Sequence, residues 1–317
     1  MTSAIASKAS INDDVVADST EVLAYHGRSF RLASHFLPRQ CREDATVVYA
    51  MCRLIDDLVD EAPDPDTALS NLNEVRAELT GAHKPRSLVA VFLDVVNRRE
   101  IDLNATLHLT DAVLGDLNTV LVQDDDAFIQ YCYGVAGTVG LMMCGVLGVK
   151  DPLATAHAID LGIAMQITNI CRDVREDAAM GRVYLPANRL ENAGTSSQEL
   201  LEGTADPQAV ASVVRDLLAL AERYYSSGEH GLHYIPTKPR TAIVVASRVY
   251  RAIGLRLLRI HSGNSLAGRT VVPTWERIIW VIRGLFACGS SVVRGYGTTP
   301  HRPHLHRSLI GFPGANT

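Results

Sequence analysis

The sequence predicts a single all-α bundle, and three observations predict it. Apolar residues recur at three- and four-residue intervals through nearly the whole chain, the spacing that lines one face of a helix. Alternating two-residue patterns bounded by Asn-Gly or Asp-Gly turns are absent, so no sheet is expected. The breaks at Glu61 to Asp66, Ala82 to Arg86, Lys150 to Pro152 and Tyr234 to Pro239 are short, which suits loops within one bundle and not interdomain linkers. A length of 317 residues allows about two domains at ~150 residues each, but equally one domain with a sizeable core.

Taken in order, residues 1–20 are expected to be a flexible segment, 21–295 an all-α domain and 296–317 a C-terminal tail. The N-terminus has neither a basic region followed by an apolar block nor a clear cleavage site, so a cytoplasmic chain is expected. Asp66 or Thr67 can cap a helix whose Leu69, Leu72, Val75 and Leu79 share one face, with Gly81 ending it. From Phe128 to Val149 there is no charged residue, and ~20 apolar residues can span a bilayer. Gly134, Gly137, Gly140, Gly145 and Gly148, Gln130 and the lack of basic flanks favour a buried central helix instead, the glycines allowing close approach of neighbouring helices or of a bulky ligand. Asp206-Pro207 opens another helix, apolar at Val210, Val213, Val214, Leu217, Ala221 and Tyr224 and stopping at Gly228. After Lys238-Pro239 a third runs from Arg240 to His261 and ends near Gly263.

Hydrophobic residues at 47% and charged residues at 21% exclude a disordered, collagenous or fibrous chain. The net charge of −5 is unevenly spread: Arg251 to Thr317 holds nine arginines against one glutamate, a local charge of +8, leaving −13 on the rest. An acidic body with an arginine-bearing end is a poor fit for nucleic acid, whose readers present a dominant basic face. Phosphorylated small molecules and anionic membrane surfaces remain. The six cysteines form no CxxC pair and read as reduced, mostly buried thiols.

Two acidic motifs carry the chemistry. In the first, Asp56 and Asp60 lie one helical turn apart on one face, with Asp57 rotated by about 100°. In the second, Asn169, Asp173 and Asp177 fall at i, i+4 and i+8, a row of oxygen donors about 12 Å long. Hard divalent ions such as Mg²⁺ prefer carboxylate and amide oxygens and commonly bridge to substrate phosphates. Two such rows facing each other could hold a diphosphate through a small metal cluster. Acids one turn apart repel unless something offsets them, and Arg53 and Arg172, each beside a row, could neutralise a departing diphosphate.

The blocks HGRSF (His26 to Phe30), YAMCRLIDDLVD (Tyr49 to Asp60), YCYGVAGTVGLM (Tyr131 to Met142), QITNICRDVREDAAMGRVYLP (Gln166 to Pro186) and SRVYRAIG (Ser247 to Gly254) resemble those of the squalene and phytoene synthases. The resemblance runs from about Tyr25 to Trp280. It is closest to the bacterial phytoene synthases, down to a proline- and histidine-bearing tail at His301 to Leu305. It implies the class I terpenoid synthase bundle around a central cavity. The implied activity is magnesium-dependent prenyl transfer: two geranylgeranyl diphosphates joined head to head, through prephytoene diphosphate, to 15-cis-phytoene with release of diphosphate, the first step of carotenoid biosynthesis.

Carried over position by position, the resemblance implies that Asp56, Asp60, Asn169, Asp173 and Asp177 bind Mg²⁺, or Mn²⁺ in its place, and the diphosphates. It gives phosphate contacts to Arg53, Arg172, His26, Arg28 and Ser29, the diphosphate end to Tyr49, Gln166 and Tyr250, and the prenyl-tail cavity to Tyr131, Val135 and Gly140. Gly27 stands where many members have Ser, and Arg175 replaces a more usual small residue. Arg269 resembles a late basic position of the family and could equally meet membrane phosphates. No Gly-rich dinucleotide loop follows a strand, so no NADPH is expected. A peripheral contact with membrane lipid is expected from the insolubility of a forty-carbon product, with the +8 carried by residues 251–317 as the candidate contact for anionic lipid, assisted by Ile278 to Ile282 and Leu285 to Phe286, and a carotenoid desaturase downstream. The alternatives are a fifteen-carbon squalene or dehydrosqualene synthase using farnesyl diphosphate, and a non-catalytic assembly factor, which would be expected to lose the carboxylates kept here. A head-to-tail prenyl transferase or terpene cyclase is disfavoured by the GTVG and RVYLP blocks.

Overall fold

The computed structural model describes residues 14–25, 28–117, 120–289 and 300–315, with the side chains of 28–29 and 287–289 excepted. Its first helix, α1, covers residues 14–25, so residues 14–20 of the segment expected to be flexible are helical. There follow α2 (Arg28–Ser34), α3 (Arg39–Asp60), α4 (Pro65–Leu79), α5 (Ser87–Arg99), α6 (Leu103–Leu114), α7 (Asp125–Cys132) and α8 (Thr138–Leu147). The second half holds α9 (Ala154–Ala179), α10 (Ala187–Ala193), α11 (Ser197–Glu202), α12 (Pro207–His230), α13 (Thr237–His261) and α14 (Thr274–Gly289). Among the described residues one sheet departs from the all-helical expectation, a parallel pair of two-residue strands, β1 (Val120–Leu121) and β2 (Arg182–Val183).

Local chemistry sets the ends of these helices. Pro65 occupies the first helical position of α4, where its missing N–H costs nothing. The cap therefore falls on Asp64, which accepts from the Thr67 N–H at 2.8 Å, and not on Asp66 or Thr67. Asp206 caps α12 in the same way, accepting from Gln208 and Ala209. That helix runs through Gly228 to His230, because Gly228 lies against Leu161 of α9 at a helix crossing.

The uncharged stretch from Phe128 to Val149 is interrupted by a π-helical turn, Tyr133–Gly137, between α7 and α8. Asp125–Leu147 is long and apolar enough to cross a membrane by length and composition, yet Phe128, Tyr133 and Met142 are fully buried within the protein. A side chain at Gly140 would meet the Ala158 carbonyl oxygen at 2.3 Å, and one at Gly162 the Ala136 carbonyl oxygen at 2.2 Å. Two Ala-x-x-x-Gly pairs thus interlock reciprocally, and the segment lies backbone against backbone on α9. Glycine here serves helix contact first and cavity space second.

Helix α9 is the axis of the fold, packed against α8, α12 and α13. One apolar cluster joins α9 and α12, and another joins α3 to α6 with α8. Residues 300–315 are not a detached tail: Leu305, Leu309 and Ala315 belong to the α9–α12 cluster. Tyr224 donates to the Leu305 carbonyl at 2.8 Å, Tyr133 to the Pro313 carbonyl at 2.6 Å and Gln130 to the Ser308 carbonyl at 3.0 Å.

Candidate active site

A cavity of about 310 Å³ runs between α3, α8, α9, α12 and α13. Its wall is mostly apolar, with Val48, Val135, Val139, Met143, Leu161 and Met165 among the lining residues. Polar groups gather at one end, where Asp56, Asn169, Gln166, Tyr49 and Tyr250 contribute. The 3.6-residue repeat explains this convergence: apolar neighbours within α3 and α9 face the core, and the acidic positions follow at the same phase one or two turns on.

The two carboxylate rows are drawn together by Arg182, which donates to Asp60 at 2.8 Å and whose charge also acts on Asp177. Burial, reinforced by Asp60, Asp57 and Asp116 against the pull of Arg53, pushes Asp56 up to about 7. Burial and the neighbouring Asp173 push Asp177 up to about 7 despite Arg182. Burial would also raise Asp173, but the Arg172 and Arg269 guanidiniums hold it below the usual carboxylate range. The rows therefore contain more buried negative charge than their arginines offset. Asn169 donates to Gln166 at 3.4 Å, while its Oδ1 is buried with no hydrogen-bond partner. An orphaned amide oxygen in line with under-compensated carboxylates is the donor set a hard divalent cation takes, so Asp56, Asp60, Asn169, Asp173 and Asp177 fit a metal cluster.

Other expected residues fall as follows. Arg53 pairs with Asp57, one turn on, and Arg172 with its neighbour Asp173. Phe30 separates Tyr49 from Tyr250, its ring centroid 6.0 and 4.9 Å from theirs, and burial raises both phenols to about 12. Val135 and Gly140 are on the cavity wall. Tyr131 stacks on Tyr184 at 4.6 Å, and its hydroxyl donates to Asp116 at 3.0 Å. A phenol seeks an acceptor when buried, and Asp116 supplies one. His26 lies outside the described residues, as do the side chains of Arg28 and Ser29. Arg269 donates to Asp173 at 2.9 Å, so its charge is directed at the acidic row.

Three residues escaped sequence reasoning: Asp116, Arg182 and Tyr184. Asp116 sits in a single 3₁₀ turn after α6, a lone acid with no spacing to mark it. It accepts from Tyr131 and from Tyr184, the latter at 3.1 Å, and burial pushes it up to about 6. Arg182 and Tyr184 follow the second row within the RVYLP block, but only the β1–β2 pairing turns them toward Asp60 and Asp116.

Comparison with known proteins agrees with this geometry. The family described as squalene/phytoene synthase matches residues 23–276. A 15-cis-phytoene synthase of Paracoccus sp. is 35% identical over 271 residues, 82% of this chain and 87% of that protein. A phytoene synthase of Thermus thermophilus is 35% identical over 270 residues, 84% of this chain and 91% of that protein. A crystal structure of a dehydrosqualene synthase with bound ligand superposes with a TM-score of 0.77 at 24% identity, covering 88% of this chain and 98% of that one, a likeness of fold.

Proposed function

We propose that this chain, which belongs to the squalene/phytoene synthase family, is a phytoene synthase joining two geranylgeranyl diphosphates head to head. The observation that carries the reading is the pairing of two acidic rows with one long apolar cavity. The twenty-carbon substrate is supported by the names of the relatives at 35% identity.

On this reading Arg53, Arg172, Arg182 and Arg269 meet the diphosphate at the polar end, where partial burial strengthens their charge. Asp56, Asp60, Asn169, Asp173 and Asp177 would hold Mg²⁺, which when bound would supply charge neutralisation for the leaving diphosphate. Loss of diphosphate leaves an allylic cation in the cavity, and the apolar walls at Val135, Val139, Leu161 and Met165 exclude the water that would quench it. The second donor's double bond attacks that cation, and proton loss gives the cyclopropylcarbinyl diphosphate. A second ionisation, rearrangement and deprotonation then give phytoene. The protein contributes positioning and fixed charge.

The product is a hydrocarbon and must leave into lipid. Helix α14 turns Val281 and Trp280 toward α13 and leaves a stripe outward: Trp275 is 60% exposed, Ile282 46% and Phe286 76%, with Ile278, Ile279 and Leu285 between them. An apolar stripe of this size on a surface helix suits the interface of a bilayer. We propose that the protein works in the cytoplasm, peripherally on a membrane from which a carotenoid desaturase would collect the product. Incubation with Mg²⁺ and labelled fifteen- or twenty-carbon diphosphates, with and without NADPH, tests the assignment. Phytoene from the twenty-carbon donor without NADPH is expected. Squalene or dehydrosqualene as the main product, or no hydrocarbon from either donor, refutes it.

A further inference from the structure

We propose that Asp160, His301 and His306 form a binding site for a divalent transition-metal ion of the zinc class, which clasps the 300–315 strap onto α9. Asp160 is fully buried, and the two imidazoles are 9% and 4% exposed. His301 Nε2 lies 2.9 Å from Asp160 Oδ2, and His306 Nε2 lies 2.9 Å from Asp160 Oδ1. One donor atom from each of the three residues falls within 4.8 Å of the others. Two imidazole nitrogens with a carboxylate are a donor set for zinc and its neighbours, whereas Mg²⁺ takes oxygen ligands. The site is therefore distinct in chemistry from the acidic rows. It is distinct in place as well, since Asp160 precedes Asp173 by thirteen residues of α9, about 20 Å along the axis.

The contacts of the His306 ring suit a cation at this point. His306 Nδ1 faces the Ala315 carbonyl oxygen at 3.4 Å. A carbonyl only accepts, so in the tautomer with the proton on Nδ1 the ring donates there and leaves Nε2 free as a ligand, the arrangement by which metal-bound histidines are commonly oriented. The neutral ring then turns the Nε2 lone pair toward a carboxylate oxygen, which is repulsive unless a cation lies between them. A proton on Nε2 of each ring would satisfy the two carboxylate oxygens separately. A metal ion relieves it for His306, His301 and both Asp160 oxygens with a single centre, and the two rings, with centroids 4.3 Å apart, suit shared ligation. Because the ligands come from segments 141 and 146 residues apart, the ion would cross-link the chain's end to the helix that carries the second acidic row. Asp160 also stands three residues beyond His157, which lines the cavity, so the clasp would stiffen the far wall of that cavity.

The test uses the full-length protein, expressed with zinc in the medium and washed with excess Mg²⁺ to clear the acidic rows. Plasma mass spectrometry is expected to find about one zinc per chain, retained in Asp173→Asn and lost in His306→Gln. Co²⁺ in place of zinc should give the visible absorption of a low-coordinate nitrogen–oxygen site in the wild-type protein and not in His301→Gln. Dialysis against a chelator should lower the unfolding midpoint, and zinc should restore it. Wild-type protein that keeps no zinc after the Mg²⁺ wash, and whose midpoint ignores both chelator and zinc, overturns the proposal and leaves an imidazolium–carboxylate pair. That outcome is read on the wild-type chain and does not depend on any variant folding.

Discussion

Replacing Gly162 by Ala sets two known effects against each other, and the structure decides which wins. In an open helix interior, Ala is favoured over Gly by about 0.8–1 kcal/mol. At Gly162 the new Cβ would lie 2.2 Å from the Ala136 carbonyl oxygen and 2.7 Å from its carbon, both of them backbone. No rotamer can relieve that contact, so α9 and the π turn must part by roughly 1 Å to reach van der Waals separation. Overpacking of this kind costs about 1–3 kcal/mol; with immovable backbone on both sides we take the upper half of that range, leaving a net loss of about 1–2 kcal/mol. An unfolding entropy of about 2.1 cal/mol/K per residue converts this to a fall of about 1.5–3 °C in midpoint for a chain of this length. Gly284→Ala is the control, because its Cβ would meet Val245 Cγ2 at an ordinary 3.5 Å and should raise the midpoint by about 1 °C. Scanning calorimetry on the two variants is the assay. A rise for Gly162→Ala equal to that of Gly284→Ala would show that the helices do not approach as described, and the reasoning would fail. Gly162 also lines the cavity, so turnover on the twenty-carbon donor should fall further than stability does.

Asp173→Asn removes the charge that Arg172 and Arg269 share, and diphosphate release should drop by about 10²–10³ with the circular dichroism unchanged, by analogy with loss of one stabilising group elsewhere; retained turnover sinks the metal assignment. Glu78 is buried, which alone would raise its pKa, but the backbone N–H and guanidinium of Arg86 hold it below the usual carboxylate value. Its contribution is therefore present above the unfolded pKa and disappears as pH falls through the folded one, so Glu78→Gln should cost about 1–3 kcal/mol near neutrality and nothing once both states are protonated. A destabilisation by Glu78→Gln that persists unchanged to the lowest pH would refute the pairing. Ile282→Asp with Phe286→Asp should reduce co-sedimentation with anionic vesicles while leaving the unfolding midpoint alone; undiminished binding removes α14 from the membrane proposal.

What was legible in the sequence is what repeats within a helix. Asp56 and Asp60, or Asn169, Asp173 and Asp177, share a face by spacing alone, and so do the apolar positions of α12. Residues that act across the fold left no such mark. Asp116 reaches the site because α6 ends where Tyr131 and Tyr184 converge, and each buried phenol takes that acid as its acceptor. The charge imbalance was similarly visible in amount and hidden in use. Of the nine arginines after residue 250, Arg251 pairs with Glu222 and Glu229, Arg256 and Arg259 with Glu276, and Arg269 with Asp173. Much of the apparent positive surface is thus spent inside the protein, joining α13 to α12 and α14 and directing one guanidinium at the acidic row. A membrane contact must then rest chiefly on the apolar stripe of α14, with Arg283, which lies 4.8 Å over the Trp280 ring, supplying charge at its edge. Binding to vesicles should accordingly survive high salt better than a purely electrostatic attachment would, because screening weakens exposed charges and leaves apolar burial intact.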